Sequence, residues 1–277
     1  MITAEALWQA RLALEYSLQG GRTTLSGREH SGPLVVQKTL YPEGDAVCHS
    51  IIVHPPGGIA AGDALLLELR LGEGAAALLT TPGAGKWYKS AGPQASLTQC
   101  FELERGAVLE WLPQPAIVFD AARALTRTEV RLHAEALYLG WELSCMGRAA
   151  SGERFNSGEL RQRTEIWQQG ERLWSEYARL AGDDPMLKSK AGLNDCTVSA
   201  TLIAAGRDIP RDLLERCRAV VPDAGEHVGI TALPRVLLAR YLGHNGEAAM
   251  HHFIALWRLL RPALAGRAAV PPRIWAT

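Results

Sequence analysis

Apolar and polar residues alternate along most of the first 180 residues of the chain. In Leu65–Leu71 the leucines at odd positions face one way and the charged residues face the other, and Phe101–Glu104 repeats the pattern. This period of two is typical of strands with one buried and one solvated face. Glycine and proline residues separate the runs, for example at Pro55–Gly58 and Pro82–Gly85. The pattern predicts many short strands, and we expect them to form a large antiparallel sheet assembly.

The last third of the chain has a different periodicity. Pro210 begins a helical spacing of apolar residues that ends at Pro222, residues 228–242 look extended, and Glu247–Leu264 is helical again. We therefore predict a mainly β protein, with a β-rich body over about residues 1–180 and a small C-terminal α+β section with two helices over about 181–277. Because no linker separates independent units, residues 1–277 are predicted to form a single domain.

The second predicted helix carries an apolar stripe made of Ala249, Phe253, Leu256 and Leu260. A stripe of this kind must bury against something, either the β-rich body or a partner protein. Phe253, Leu256 and Leu260, together with Trp257, are therefore our candidates for a partner-binding surface.

Charge and composition exclude two classes of protein. The 29 Lys and Arg residues are balanced by 29 Asp and Glu residues, so the chain lacks the basic excess of a protein held on nucleic acid by phosphate contacts. No run approaches the roughly 18 apolar residues of a membrane helix. Because Met1–Leu18 has charged residues and no uninterrupted apolar segment, we expect no signal peptide. The five scattered cysteines form no CxxC pair, which favours a reduced, cytoplasmic protein.

The segment Thr80–Trp87 follows an apolar strand and resembles a phosphate-binding loop. That motif requires a glycine where Thr80 stands and a magnesium-binding Ser or Thr where Trp87 stands. Because both requirements fail, a structural turn is the favoured interpretation. A nucleotide-binding enzyme that uses Gly83–Lys86 remains a less favoured hypothesis.

Cys48, His49 and His54 suggest a metal site, but their spacing argues against one. If Cys48–Val53 is a strand, Cys48 and His49 point to opposite faces. Cys48 and His54 share a face but lie about 20 Å apart at roughly 3.3 Å per residue. We expect satisfied core histidines and an ordinary buried cysteine.

Four acidic residues stand in apolar or glycine-rich surroundings: Asp63, Glu110, Glu142 and Glu153. A carboxylate on a buried strand face must be hydrogen-bonded, neutralised or hydrated. Backbone capping and hydration by an internal channel are both open interpretations. The sequence shows no catalytic motif such as HExxH or GxSxG.

Several unrelated segments, in the same order, closely resemble the UreD (UreH) family of urease accessory proteins. They are Gly32–Lys38, Tyr41–Gly44, Cys48–His49, His54–Asp63, Thr80–Ser90, Leu109–Gln114, Gly147–Arg148, Gly152–Glu153 and Pro272–Thr277. The resemblance runs nearly from end to end.

The resemblance implies a fold and a function. The fold would be a helical stack of strands with two C-terminal helices. The protein would be a non-catalytic scaffold for urease maturation that binds UreF, which recruits the GTPase UreG. The complex would dock on apo-urease and assist nickel insertion. No tightly bound cofactor is implied, and nickel would pass in transit. Asp63, Glu110 and Glu153 are our candidates for the lining of a nickel path, since oxygen ligands hold Ni²⁺ loosely.

An alternative function belongs to another class of protein. A metal-dependent β-barrel hydrolase would use His49, His54 and scattered carboxylates. It would require a stoichiometric metal and turnover by the isolated chain.

Overall fold

The computed structural model describes residues 8–276. Met1–Leu7 and Thr277, which fall within the predictions of a single domain and of no signal peptide, lie outside the described residues. The described chain forms seventeen strands, which are, in chain order, β1 Gln9–Gln19, β2 Arg22–Ser31, β3 Val35–Val36, β4 Cys48–Val53, β5 Ala64–Leu71, β6 Ala76–Thr80, β7 Gly85–Trp87, β8 Ala95–Leu103, β9 Val108–Trp111, β10 Ala116–Val118, β11 Arg123–Leu132, β12 Leu137–Met146, β13 Glu159–Gln168, β14 Glu171–Ala181, β15 Val198–Ala205, β16 His227–Leu233 and β17 Val236–Gly243.

The strands form two sheets. Sheet 1 has the order β14-β13-β11-β8-β5-β1-β2, and sheet 2 has the order β16-β17-β15-β12-β9-β6-β4-β3, with β10 pairing to β12 and β7. From β4 to β13 the chain runs back and forth between the sheets, so that each coil adds one strand to each of them. The result is a solenoid-like stack, which confirms the predicted β-rich fold.

The central strands of both sheets are parallel, so the expected antiparallel assembly is wrong. In sheet 1, β1, β5, β8, β11 and β13 pair in parallel, as do β4, β6, β9 and β12 in sheet 2. Parallel neighbours need a long crossover, which is usually a helix. In this fold the strand in the opposite sheet serves as the crossover. Apolar and polar residues alternate along a strand in the same way whether its neighbours are parallel or antiparallel.

Two apolar cores result from this arrangement. One lies between the sheets, where inward positions such as Leu12, Leu67 and Leu109 meet. The other lies between the outer face of sheet 2 and the helices, and it includes Trp141 and Phe253. The outer face of sheet 1 carries the charged half of the alternating pattern.

The two predicted helices are confirmed as α1 (Arg211–Arg218) and α2 (Gly246–Ala265). Asn245 caps α2 because its side chain accepts hydrogen bonds from the first turn. At the other end Gly266 has φ of 67°, a left-handed conformation that favours glycine. The region predicted to be extended forms the hairpin of β16 and β17, which continues sheet 2.

Candidate functional site

Two partly open cavities lie along the space between the sheets. The first, which we name the apolar chamber, has a volume of about 430 Å³, and its walls include Leu65, Leu97 and Trp111. The second, which we name the polar chamber, has a volume of about 400 Å³ and lies where β13 and β14 face β12, β15 and β17. Glu142 and Gln162 line both chambers, so the two cavities adjoin at these side chains.

The change from apolar to polar lining follows the register of sheet 1. One row of inward positions crosses the sheet through Leu12, Leu67, Gln99, Thr128, Thr164 and Glu176. Along this row, successive coils therefore present leucine, amide, hydroxyl and finally carboxylate side chains to the interior. The polarity of the interior increases from β1 towards β14.

The apolar chamber contains buried polar atoms without a protein partner among the described residues. They are His54 Nε2, Gln99 Oε1, Trp111 Nε1 and Thr126 Oγ1. Burial lowers the pKa of His54, with Asp63 opposing the shift, and so favours a neutral imidazole. Unpaired polar groups in a roomy cavity are the usual setting for buried water. His54 therefore has no protein partner at Nε2 among the described residues, and the expected satisfied histidine would need water in the chamber.

The segment that resembles a phosphate-binding loop forms part of the rim of this chamber. Residues 81–84 connect β6 to β7 and line the apolar chamber together with Gly85, and no helix follows them. The structural turn predicted from the sequence is confirmed. Across the rim, Gly58 lies against the ring of Tyr88, and a Cβ at this position would lie 2.2 Å from a ring atom, so a larger residue would displace that ring.

In and beside the polar chamber, side chains from opposite sheets make direct contacts. Arg240 of β17 donates to Glu176 of β14 at 2.6 Å. Thr128 of β11 donates to Glu142 of β12 at 2.7 Å, and the amide of Gln162 lies 3.3 Å from the other carboxylate oxygen. Burial raises the pKa of the Glu142 carboxyl group, and Glu176 adds to the shift.

Asp63 and Glu153 make local contacts away from the chamber walls. Asp63 is 8% exposed, and its carboxylate accepts a hydrogen bond of 2.8 Å from the Ala60 backbone N–H. Glu153 accepts from Arg148 at 2.7 Å and from the Asp120 backbone N–H, and the bond from Arg148 lowers the pKa of Glu153. Neither residue lines a chamber, although Asp63 lies near enough to affect His54 electrostatically.

Glu110 lies on the outer face of sheet 2, beneath α2. Its carboxylate accepts from Nε of Arg261 at 3.0 Å to each oxygen and from Nε1 of Trp257 at 2.6 Å. The same guanidinium donates to Glu43 at 2.6 and 2.9 Å, and Glu43 contacts His49 Nε2 at 2.5 Å. We name this buried group the clasp. The clasp gives His49 a hydrogen-bond partner, as predicted. It also places Glu110 in an ion pair with Arg261.

The three carboxylates proposed for a nickel path are thus on separate parts of the molecule. Asp63 precedes β5, Glu110 is in the clasp and Glu153 is in the loop after β12. His49 and His54 are also separated, because His49 lies under α2 and His54 lines the apolar chamber. The structure therefore does not assemble the site of the alternative hydrolase from these residues.

The apolar stripe of α2 buries against sheet 2. Phe253, Leu256, Trp257 and Leu260 are each 0–1% exposed, and they pack on residues such as Trp141. Of the two alternatives left open by the sequence, burial against the β-rich body is the one observed. Any contribution of these four residues to partner binding acts through the position of the helix.

Arg261 and Glu142 are the residues that sequence reasoning left out of its site predictions. Arg261 stands four residues after Trp257 and one after Leu260, so helical spacing places it on the buried stripe. A charged residue at such a position signals a buried partner. The apolar neighbours of Glu142 in the sequence mark it as an unusual carboxylate. Its position at the cavities depends on strands far away in the chain, so the local sequence does not indicate it.

Residues 8–276 lack two further kinds of feature. Within this range no group of three or more His, Cys, Asp or Glu side chains is arranged to hold a metal ion. The same range contains no helix that is long and apolar enough to span a membrane.

Comparison with known proteins gives a consistent result. A family model described as "UreD urease accessory protein" matches residues 9–276. The chain is 50% identical over 274 residues to the urease accessory protein UreD of Azoarcus sp. (strain BH72), covering 99% of this chain and 96% of that protein. It is 48% identical to the protein of the same name from Methylobacillus flagellatus, with the same coverage. The corresponding Pseudomonas aeruginosa (strain PAO1) protein is 50% identical over 98% of this chain and 95% of its own length.

Proposed function

The chain belongs to the UreD family of urease accessory proteins, and on that premise we propose that it is a non-catalytic scaffold for nickel delivery to apo-urease. Family membership supports a role in urease maturation. The proposal adds that the chain binds UreF, that UreF recruits the GTPase UreG, and that the assembly docks on apo-urease in the cytoplasm. All five cysteines are free thiols, which fits a reducing compartment.

The observation that carries the proposal is the pair of chambers that adjoin at Glu142 and Gln162. We propose that they form a hydrated passage through which Ni²⁺ moves as cargo. Four buried polar atoms in the apolar chamber have no protein partner among the described residues, and water inside the chamber would satisfy them. A hydrated ion needs such a lining, because an apolar wall offers nothing to replace lost water ligands.

The donor groups along the chambers suit a transferred ion. Imidazole, carboxylate and amide oxygen are ligand types that nickel accepts, and isolated donors of this kind release it more readily than a closed site. His54 and Gln99 provide such donors in one chamber, and Glu142 provides one at the junction. Asp63 remains our candidate near the His54 end. Arginine contacts already occupy Glu110 and Glu153, so we assign them structural roles.

The nucleotide chemistry of the assembly belongs to UreG in this proposal. The turn at Thr81–Gly85 lacks the helix whose N-terminus would hold a phosphate. The chain then contributes the passage and the docking surfaces, and the partner contributes the energy of GTP hydrolysis.

A filling substitution at the junction tests the passage. Ser144 is 4% exposed, lines the apolar chamber and contacts Gln162. We expect Ser144→Phe to bind UreF and UreG but to yield urease with a several-fold lower nickel content, measured by atomic absorption. Overpacking typically costs about 1–3 kcal/mol, so thermal melting checks that the variant is folded. Ser144→Ala removes the hydroxyl without filling the space, and it should behave like the unmodified chain. Full nickel loading by the folded Ser144→Phe complex would contradict the passage.

A further inference from the structure

The apolar chamber has the size and the lining of a pocket for a small organic molecule. Its volume of about 430 Å³ falls within the range of about 300–1,000 Å³ that is usual for ligand pockets. Leucines from both sheets line it, among them Leu67, Leu97 and Leu143, together with the buried indole rings of Trp87 and Trp111. A mostly apolar wall with a few polar groups is the common composition of such pockets.

Two of the unpartnered polar groups of this chamber lie on facing walls. Gln99 and Trp111 are each 4% exposed, and Gln99 Oε1 and Trp111 Nε1 have no protein partner among the described residues. Gln99 shares the inward face of β8 with Phe101, whose ring centre lies 5.9 Å from that of Trp111. The amide oxygen can only accept a hydrogen bond and the indole N–H can only donate one. A hydroxyl group, which does both, is complementary to this pair.

The charges around the chamber favour an uncharged ligand. Burial lowers the pKa of His54 and so favours the neutral imidazole. The Glu142 carboxylate at the inner end already accepts from Thr128, and burial raises its pKa. Lys86, on the short strand β7 at the rim, is the only cation among the described residues that line the chamber. An anionic group would therefore find no cation beside Gln99 and would lose its hydration there.

From this lining we propose that the apolar chamber binds a small uncharged aromatic alcohol of the phenol class, with no more than about two rings. The ring packs among the leucines and tryptophans. The hydroxyl donates to Gln99 Oε1 and accepts from the indole N–H of Trp111. Such a ligand replaces the hydrogen bonds of the water that it displaces, and it adds the burial of its apolar ring. The inference does not depend on nickel passage, since it concerns a second occupant of the same cavity.

Fluorine NMR with 4-fluorophenol tests the site on the full-length chain at micromolar concentration. We expect saturable broadening of the probe signal. Fluorobenzene, which lacks the hydroxyl, should bind about tenfold more weakly, because it leaves both buried polar groups unpaired. The anion 4-fluorobenzoate should show no saturable binding. Because nickel and partner proteins are absent, the result is independent of the proposed passage.

Gln99→Leu tests the assigned contact. The variant removes the acceptor and keeps a side chain of similar size, so we expect it to fold, which thermal melting checks, and to bind 4-fluorophenol about tenfold more weakly. Glu102→Gln, on the exposed outer face of sheet 1, is the matched control and should bind the probe like the unmodified chain. The proposal is overturned if 4-fluorophenol shows no saturable binding, or if it binds the folded Gln99→Leu variant as tightly as the unmodified chain. Equal binding of fluorobenzene and 4-fluorophenol would also overturn it.

Discussion

Single buried polar groups in this molecule are of two kinds. Arg261 is fully buried, yet it forms hydrogen bonds with both Glu110 and Glu43. His54 Nε2 and Gln99 Oε1 are buried and have no protein partner among the described residues. A buried polar group without a partner costs about 1–3 kcal/mol. The second kind therefore indicates a place that the protein leaves open to water or an ion.

Asp63 allows a test of whether a buried polar residue serves the structure of the turn or the nickel path. Its carboxylate accepts from the Ala60 N–H, and an asparagine side chain would keep an acceptor there. We expect Asp63→Asn to bind UreF and UreG normally and to give urease of lower nickel content and activity, because the charge near His54 is gone.

Glu102→Gln is the control for Asp63→Asn and should change neither the binding of UreF and UreG nor the activity of urease. Loss of complex formation in Asp63→Asn would instead assign Asp63 to the structure of the turn. Full activation of urease would remove it from the nickel path.

At the scale of elements, the sequence predicted where strands and helices lie better than how they pair. Leu65–Leu71 alternates in the same way whether its neighbours run parallel or antiparallel, so the strand was predictable and its pairing was not. The helix around Phe253 was predictable from its apolar stripe. The contact of Glu110 with Arg261 joins residues 151 positions apart, and no local pattern indicates such a pair. The chambers depend on the same long-range register.

The clasp holds helix α2 on sheet 2, and Arg261→Met measures how strongly. The substitution removes the guanidinium that pairs with two buried carboxylates, Glu110 and Glu43, and leaves Glu43 with His49 alone. Removing one partner of a buried ion pair typically costs about 3–5 kcal/mol, and we expect a loss of this size in urea denaturation.

Two further variants control the clasp experiment. Arg258→Met, on the exposed face of the same helix, should change stability by less than about 0.5 kcal/mol. The double variant Arg261→Met with Glu110→Gln should be less destabilised than the sum of the single changes, because the two groups interact directly. Strict additivity would mean that the ion pair in the clasp contributes little.

At the scale of the whole molecule, two properties promote association. The formal net charge is zero at pH 7, and proteins without net charge tend to associate. Within the described residues, sheet 1 also ends in β14, which pairs only with β13, and an open strand edge is a template for pairing with another chain. Tyr177 on this strand is 63% exposed.

We expect the isolated chain to be poorly soluble and co-expressed UreF to raise its soluble yield, whereas an unrelated co-expressed protein should not. Light scattering of the purified samples measures the difference. Tyr177→Glu should also raise the solubility of the isolated chain, because it places a charge on the open edge. Position 177 lies opposite Arg163 in the pairing register. If the variant is as insoluble as the parent, the β14 edge is not the site of association. A monodisperse, concentrated monomer of the unmodified chain without any partner would refute the expectation, because zero net charge and an open edge would then be insufficient to cause association.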